Sequence, residues 1–230
     1  MKAYVINLDS RIDRWQSVLN QANQLGLEIE RVSAVSTLEV DTKIETFVAP
    51  GVSATWKSHQ RAMQTFLQSK DAYALILEDD FKVDCDLKAI IARTSRLDSF
   101  DFVQLGYLKT SVRDLLDLRI ANFQDIGLKI LCRFLSIIQQ HNILNSKLRL
   151  REQMAVPFSF VRNDIRAGGQ AYLVSRNFAL ASQFMNQPAF LSADSVFISL
   201  GDVRSFKMFR FRKSQVNQTD SPSSVQQRYL

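Results

Sequence analysis

The chain has 230 residues, 46% of them hydrophobic and 23% charged, which excludes a disordered or fibrous protein and predicts one large folded domain. Its 29 Lys and Arg outnumber 23 Asp and Glu, a formal charge of +6 that favours an anionic partner: a nucleotide, a nucleic acid or an acidic lipid face. Its two cysteines, Cys85 and Cys132, lack CxxC spacing, which excludes a zinc knuckle or disulfide framework and fits a reducing cytosol.

The N-terminus, MKAYVINLDSR, carries an apolar run too short for a secretory signal. No run approaches the roughly 20 residues that cross a bilayer. The expected location is cytoplasmic, with any membrane contact peripheral and on the inner face.

Ala3 to Leu8 (AYVINL) is nearly continuous in apolar character and predicts a strand buried on both faces. A helix through Arg14, Trp15, Val18 and Leu19 follows, with Asp9 or Ser10 as its expected N-cap and Gly26 as its stop. Ile29 to Ala34 predicts a second strand. Beyond Pro50 and Gly51, a helix capped by Ser53 or Thr55 presents Trp56, His59, Ala62, Met63 and Phe66 at helical spacing. Tyr73 to Leu77 predicts a strand that runs straight into Glu78, Asp79 and Asp80. Leu87 to Ile91 predicts a helix, and Phe100 to Leu105 a strand ending at Gly106.

From Lys109 to Arg166 the leucines and isoleucines are dense and strand signals weak, which predicts a mostly helical insertion, 109–166, inside a single domain spanning 1–230. Leu128, Leu131, Phe134, Leu135 and Ile138 form its apolar stripe, either packed core or a membrane-facing surface. Gln170 to Val174 then predicts a strand and Arg176 to Met185 a helix. The stretch Val203 to Lys213 interleaves Arg204, Lys207, Arg210, Arg212 and Lys213 with Phe206, Met208, Phe209 and Phe211. That pattern fits a solvated strand, a surface drawn to anionic membrane, or a steering patch for an anionic substrate. The Ser- and Gln-rich end is expected to be partly disordered.

The acidic triplet carries the strongest chemical signal. In an extended segment Glu78 and Asp80 project to the same side, and two carboxylates on one face make half of a hard-cation site for Mg²⁺ or Mn²⁺. A solvated turn has the same pattern. With a divalent ion between them, such carboxylates attract a diphosphate and stabilise charge on a departing nucleotide, so transfer from a nucleotide-activated donor fits, as does metal-dependent phosphoryl transfer.

Taken in order, VINLDSRIDRW, RVSAV, WKSHQRA, LILEDD, GGQAYLVSR and the late Asp194 resemble glycosyltransferase family 25, the family of bacterial lipooligosaccharide galactosyltransferases and related collagen-modifying enzymes. The resemblance covers most of the chain outside roughly 109–162, and departs from the family pattern at Lys57, where a small residue or cysteine is expected. It implies an α/β fold, a GT-A-like Rossmann-type nucleotide-sugar-binding domain, and an inverting hexosyltransferase that moves a hexose, often galactose, from a UDP-sugar to a glycan or glycolipid acceptor. It places Asn7, Leu8, Asp9, Arg11 and Arg14 near the nucleotide and Ala34 and Val35 beside base or ribose; Ser58 and His59 match the family's Ser-His pair, with His59 near the diphosphate or donor sugar. Gly169, Gln170 and Tyr172 are supporting binding residues; Glu78, Asp79 and Asp80 are the metal ligands and Asp194 the candidate base.

Each of these residues also has a plain structural role. Arg14 fits a surface helix charge, His59 a core histidine, the glycine pair a turn, and Asp194 a helix N-cap. A basic nucleic-acid-binding module, motivated by charge and interleaved phenylalanines, leaves the triplet unexplained. A catalytically inactive relative acting as a partner-binding protein is the remaining alternative.

Overall fold

The computed structural model describes residues 1–40, 48–83, 86–107, 159–203 and 206–219. All belong to one compact unit formed by Met1–Leu108 and Ser159–Leu230. Both cysteines, the apolar stripe around Ile130 and most of the expected helical insertion lie outside the described residues.

Nine strands are described: β1 (Ala3–Asn7), β2 (Ile29–Ser33), β3 (Tyr73–Glu78), β4 (Phe81–Lys82), β5 (Phe102–Gly106), β6 (Phe160–Arg162), β7 (Ala171–Ser175), β8 (Met208–Phe211) and β9 (Asn217–Gln218). The described helices are α1 (Ile12–Leu25), α2 (Pro50–Leu67), α3 (Leu87–Ala92), α4 (Arg176–Ser182) and α5 (Ala193–Val203). Seven strands form one sheet in the order β2-β1-β3-β7-β5-β8-β6, and β4 pairs with β9 in a small second sheet.

The first strand is central, as its apolar run predicts: all five of its residues are buried, and β2 and β3 lie parallel to it on either side. Strand β7 runs antiparallel to both neighbours, β3 and β5. The sheet is therefore mixed within a Rossmann-like α/β arrangement.

Gly26 closes α1 at a φ of 58°, a left-handed conformation that glycine adopts without steric cost, while its N–H returns to the last turn. The start of α1 differs from expectation. Arg11 occupies the N-cap position with no side-chain cap, because Asp9 is taken up by Ser33, whose hydroxyl donates to it at 2.8 Å. Helix α2 likewise begins four residues earlier than a Ser53 cap requires, with Pro50 in its first turn, where a missing N–H costs nothing. Thr55 lies inside that helix and donates its hydroxyl to the Gly51 carbonyl at 2.9 Å.

Two further expectations change. Phe160–Arg162, expected within the helical segment, is edge strand β6, paired antiparallel with β8 so that Phe160 faces Phe211. Within the basic, phenylalanine-rich stretch, 208–211 is not a surface strand: β8 is buried throughout between β5 and β6, its parallel and antiparallel neighbours. Arg210 is buried there, ion-paired with Asp164 and placed over the Tyr107 ring at 5.4 Å. Met208, Phe209 and Phe211 are consequently core residues, unavailable to a membrane or a nucleic acid.

The main core lies where α2 covers the sheet. Trp56, Met63 and Phe66 of α2 meet Tyr4, Ile76, Phe102 and Tyr172 of the strands and Phe178 and Phe197 of α4 and α5. Phe102 sits at its centre, with ring centroids 4.9 Å from Tyr172, 5.3 Å from Phe178 and 5.0 Å from Phe197. Phe102→Ala leaves a cavity that three rings cannot fill, and is expected to lower unfolding stability by about 3–5 kcal/mol in urea titration.

Candidate active site at the strand ends

Strands β1 and β3 are parallel neighbours with Ile6 opposite Glu78, so Asn7 and the triplet emerge together at their carboxyl ends. The chain passes from β1 outward to β2 and returns on the opposite side as β3. Such a switch in strand order opens a crevice outside the carboxyl ends of the strands. Because β7 is antiparallel, its beginning, with Gly168, Gly169 and Gln170, arrives at the same edge, and Glu78 N–H donates to the Gln170 carbonyl at 3.0 Å.

A cavity of about 520 Å³ occupies this crevice. Its walls include Leu8 and Arg14, the segment Ala34 to Leu38, Ala49 to Gly51 with Ala54 and Thr55 from the first turns of α2, Ser58, His59 and the whole triplet. A second cavity, of about 200 Å³, lies beside it, walled by Gly168 to Gln170 and by Ser192 to Asp194. Thr55, His59, Glu78 and Gln218 line both.

The three carboxylates have three different environments. Asp79 has both oxygens engaged: Oδ2 accepts from Asn7 Nδ2 at 2.6 Å, and Oδ1 accepts from Arg14 Nη1 at 2.8 Å. Asn7 is itself held, its Oδ1 accepting from Arg31 Nε and Nη2 at 2.9 and 2.6 Å. Asp79 is thus a tie between β1, α1 and the turn after β3, and Arg14 is neither a surface charge nor an unencumbered phosphate ligand.

Asp80 is 5% exposed and accepts from Gln218 Nε2 at 2.6 Å on Oδ2, while Oδ1 is buried with no hydrogen-bond partner. Burial, reinforced by the neighbouring Glu78 charge, pushes its carboxyl up to about 6 despite the Gln218 hydrogen bond. Glu78 stands at the mouth, with Oε1 3.4 Å from His59 Nε2, close in distance but not aligned as a hydrogen bond.

His59 is buried between the two cavities, and its Nδ1 shares a 3.0 Å hydrogen bond with the Tyr172 hydroxyl. Burial, then the Glu78 charge, raises the Tyr172 phenol well above its ordinary value and keeps it protonated. The other ring nitrogen, Nε2, is directed at Glu78. Gly169 makes room for this arrangement: a Cβ there would stand 3.3 Å from both Glu78 Oε1 and His59 Nε2.

Ser58 works through the backbone. It accepts from Val35 N–H at 2.8 Å and donates to the Ala54 carbonyl at 2.7 Å, fixing the Ala34–Val35 wall against α2. Asp194, in the first turn of α5, is half-buried, with the Gly168 backbone on the side that favours its charged form. Burial and then Glu78 raise its carboxyl above the usual range.

Of the residues singled out in the sequence, Leu8, Arg14, Ala34, Val35, Ser58, His59, Glu78, Asp79 and Asp80 line the larger cavity, and Gly169, Gln170 and Asp194 the smaller. Asn7 and Tyr172 stand behind the wall as supports. Asp9 and Arg11 do not line either cavity: Asp9 faces Ser33 and Arg31, and Arg11 is ion-paired with Asp13. Nothing local in the sequence marks Gln218, which arrives by the β4–β9 pairing; Ser36, Thr37 and Leu38 also line the larger cavity and were not among the residues singled out. A capping box of Ser36 and Glu39, present in the sequence as S-x-x-E, forms the turn bearing the last three and was a legible signal.

Among the described residues no group of three or more His, Cys, Asp or Glu is arranged to hold a metal ion. Two oxygen donors remain once Asp79 is set aside: Glu78 and the unpartnered Oδ1 of Asp80. One or two carboxylates completed by substrate phosphates and water is the usual protein share of a Mg²⁺ site, so the donor set fits a hard divalent ion that binds with its substrate.

Because folding raises the Asp80 carboxyl to about 6 from 3.8, the native state holds that proton more tightly than the unfolded chain. Its stabilising contribution is complete below about 3.8 and is lost as pH rises through about 6. Asp80→Asn is therefore expected to stabilise the metal-free protein at pH 8, on the order of 2–3 kcal/mol, and to change little at pH 4. Thermal melts at the two pH values in the presence of chelator measure the difference.

No curated protein matches the chain. Among solved structures, the one titled "Crystal Structure of A197 from STIV" aligns with a TM-score of 0.43 and 13% identity, covering 94% of this chain and 83% of that one, a likeness too low to carry an argument. The family description "Glycosyltransferase family 25 (LPS biosynthesis protein)" matches residues 1–187. That segment contains β1, α1, α2, the triplet and the start of β7, and stops short of Asp194 and Gln218. Matched over well more than half its length, the chain belongs to glycosyltransferase family 25.

Proposed function

We propose that this chain is an inverting hexosyltransferase that moves a hexose, galactose in the first instance, from a UDP-sugar to the glycan part of a lipopolysaccharide-type acceptor. The observation that carries the proposal is the Asp80 carboxylate, buried at the floor of the larger cavity with Oδ1 unpartnered beside Glu78. A GT-A-type nucleotide-sugar fold is the architecture this implies, supported by the parallel β2-β1-β3 unit and the antiparallel β7 next to the triplet.

The larger cavity is the donor site in this account. The backbone of Ala34 to Leu38, anchored by Ser58, frames the nucleoside, and the amino end of the 18-residue helix α2 presents its positive dipole end toward the diphosphate. A Mn²⁺ or Mg²⁺ ion held by Glu78 and Asp80 with the donor phosphates would neutralise charge on the UDP leaving group. The lining carries three carboxylates against one arginine that is already paired, so bare protein repels a diphosphate, which supports a cation-assisted donor.

The smaller cavity holds the acceptor sugar. The acceptor hydroxyl attacks the anomeric carbon from the face opposite UDP; the new C–O bond forms as the bond to the phosphate oxygen breaks, and Asp194 takes the hydroxyl proton. A carboxyl raised by burial and by Glu78 is a stronger base than an ordinary aspartate, as this step requires. His59, oriented by Tyr172, separates the two cavities and directs its Nε2 toward Glu78. The formal charge of +6 supports contact with an anionic membrane surface where such an acceptor is anchored.

Calorimetric titration of UDP is expected to show binding with Mn²⁺ and little without it, with Glu78→Gln weakening the Mn²⁺-dependent component about 10-fold or more. Equal binding in the two conditions, or tight binding of single-stranded nucleic acid in place of UDP, would sink the proposal. Asp194→Asn is expected to lower kcat by about 10²–10⁴ while leaving UDP affinity near normal. Near-normal turnover in that variant removes Asp194 as the base.

A further inference from the structure

Strand β9 reaches the site from the far end of the chain, beyond the segment that the family description matches. Its approach is set by backbone bonds. Gln215 N–H donates to the Leu105 carbonyl at 2.8 Å, Val216 bridges Gly106, Gln218 lies opposite Phe81 in the β4–β9 pair, and Thr219 N–H donates to the Asp80 carbonyl at 2.8 Å. Those bonds bring the Gln218 side chain to a point where it lines both cavities and donates from Nε2 to Asp80 Oδ2 at 2.6 Å.

The chemistry of the amide matters here. With Oδ2 held by a donor, the carboxylate no longer turns freely about its terminal torsion, and Oδ1 keeps one direction. That oxygen is the one left buried and unpartnered. A lysine or arginine in place of Gln218 would set a formal positive charge against Asp80 and compete with any cation. A glutamate would add a fourth carboxylate to a cluster in which Glu78 and Asp79 already raise Asp80. A neutral amide orients the oxygen without adding to the positive charge that Arg14 Nη1, 4.0 Å from Oδ2, already sets there.

We propose that Gln218 is a positioning residue, which turns Asp80 so that Oδ1 is presented as the ligand of a divalent cation. The site is thus completed only when β9 is seated along β4 and Gly106. This rests on the assignment of Glu78 and Asp80 as the cation-holding pair. Gly106 supplies a second lever on the same device: a Cβ there would stand 2.9 Å from the Val216 carbonyl oxygen and 3.0 Å from Gln170 Cγ, so Gly106→Ala presses on β9 and on the Gln170 side chain while leaving the Gln218 amide itself unaltered.

The test is calorimetric titration of UDP into the full chain, with Mn²⁺ and with chelator, for the unaltered protein, Gln218→Ala, Gln218→Glu, Gly106→Ala and Asp80→Ala. Gln218→Ala and Gly106→Ala are each expected to weaken Mn²⁺-dependent UDP binding about 10-fold or more, with far-UV circular dichroism unchanged. Gln218→Glu, which keeps the shape and loses the donor, is expected to weaken it at least as much. Unaltered affinity in Gln218→Ala, where Asp80→Ala abolishes the metal-dependent component, overturns the proposal. If the unaltered protein shows no Mn²⁺ dependence, the cation assignment itself falls. Metal-free melts of Gln218→Ala, Asp80→Ala and the double variant then decide the orienting contact: non-additive shifts support it, and additive shifts overturn it.

Discussion

Three consecutive carboxylates at the end of a buried strand cannot all remain bare, and much of this site is a solution to that electrostatic problem. Asp79 is neutralised by Arg14 and bound by Asn7, which in turn needs Arg31. Glu78 stays at the mouth beside His59. Asp80 takes its hydrogen bond from a neutral amide, with Arg14 Nη1 more distant at 4.0 Å, and burial leaves its carboxyl raised and one oxygen unpartnered. The unequal treatment divides the labour: one carboxylate ties elements together, and two remain for a ligand that brings positive charge.

Sheet topology converts that local problem into a site. Parallel β1 and β3 deliver Asn7 and the triplet to one edge, while antiparallel β7 returns the glycine pair to the same edge from the opposite direction. Two cavities result, separated by a histidine whose orientation is fixed from behind by a buried tyrosine. The aromatic cluster beneath them, with Phe102, Tyr172 and Phe197 in mutual contact, ties the histidine's support to the main core, so the chemistry rests on rigid elements rather than loops.

The basic, phenylalanine-rich stretch shows how composition misleads where long-range pairing decides. Alternating cations and aromatic residues fit a surface strand, yet β8 is an inner strand whose Arg210 is accommodated by Asp164 and the Tyr107 face. Nothing near Arg210 in sequence announces either partner. Asn217 and Gln218, at the start of the Ser- and Gln-rich end, are a similar case: no apolar pattern marks them, yet they form β9 and bring Gln218 to Asp80.

By itself the sequence determined what depends on near neighbours along the chain. The buried first strand, the glycine stop of α1, the apolar face of α2 and the carboxylates after β3 are all local patterns of burial, backbone freedom and charge. The ordered motifs carried the family, since several short segments in one order are far more specific than any of them alone. Tertiary structure alone decided which of the three acids is spent on Arg14 and Asn7, that Asp9 and Arg11 turn away from the cavity, that β6 and β8 join the sheet, and that Gln218 meets Asp80. Each of those depends on hydrogen bonds or ion pairs between residues brought together by strand order, for which the local sequence holds no periodic or compositional trace.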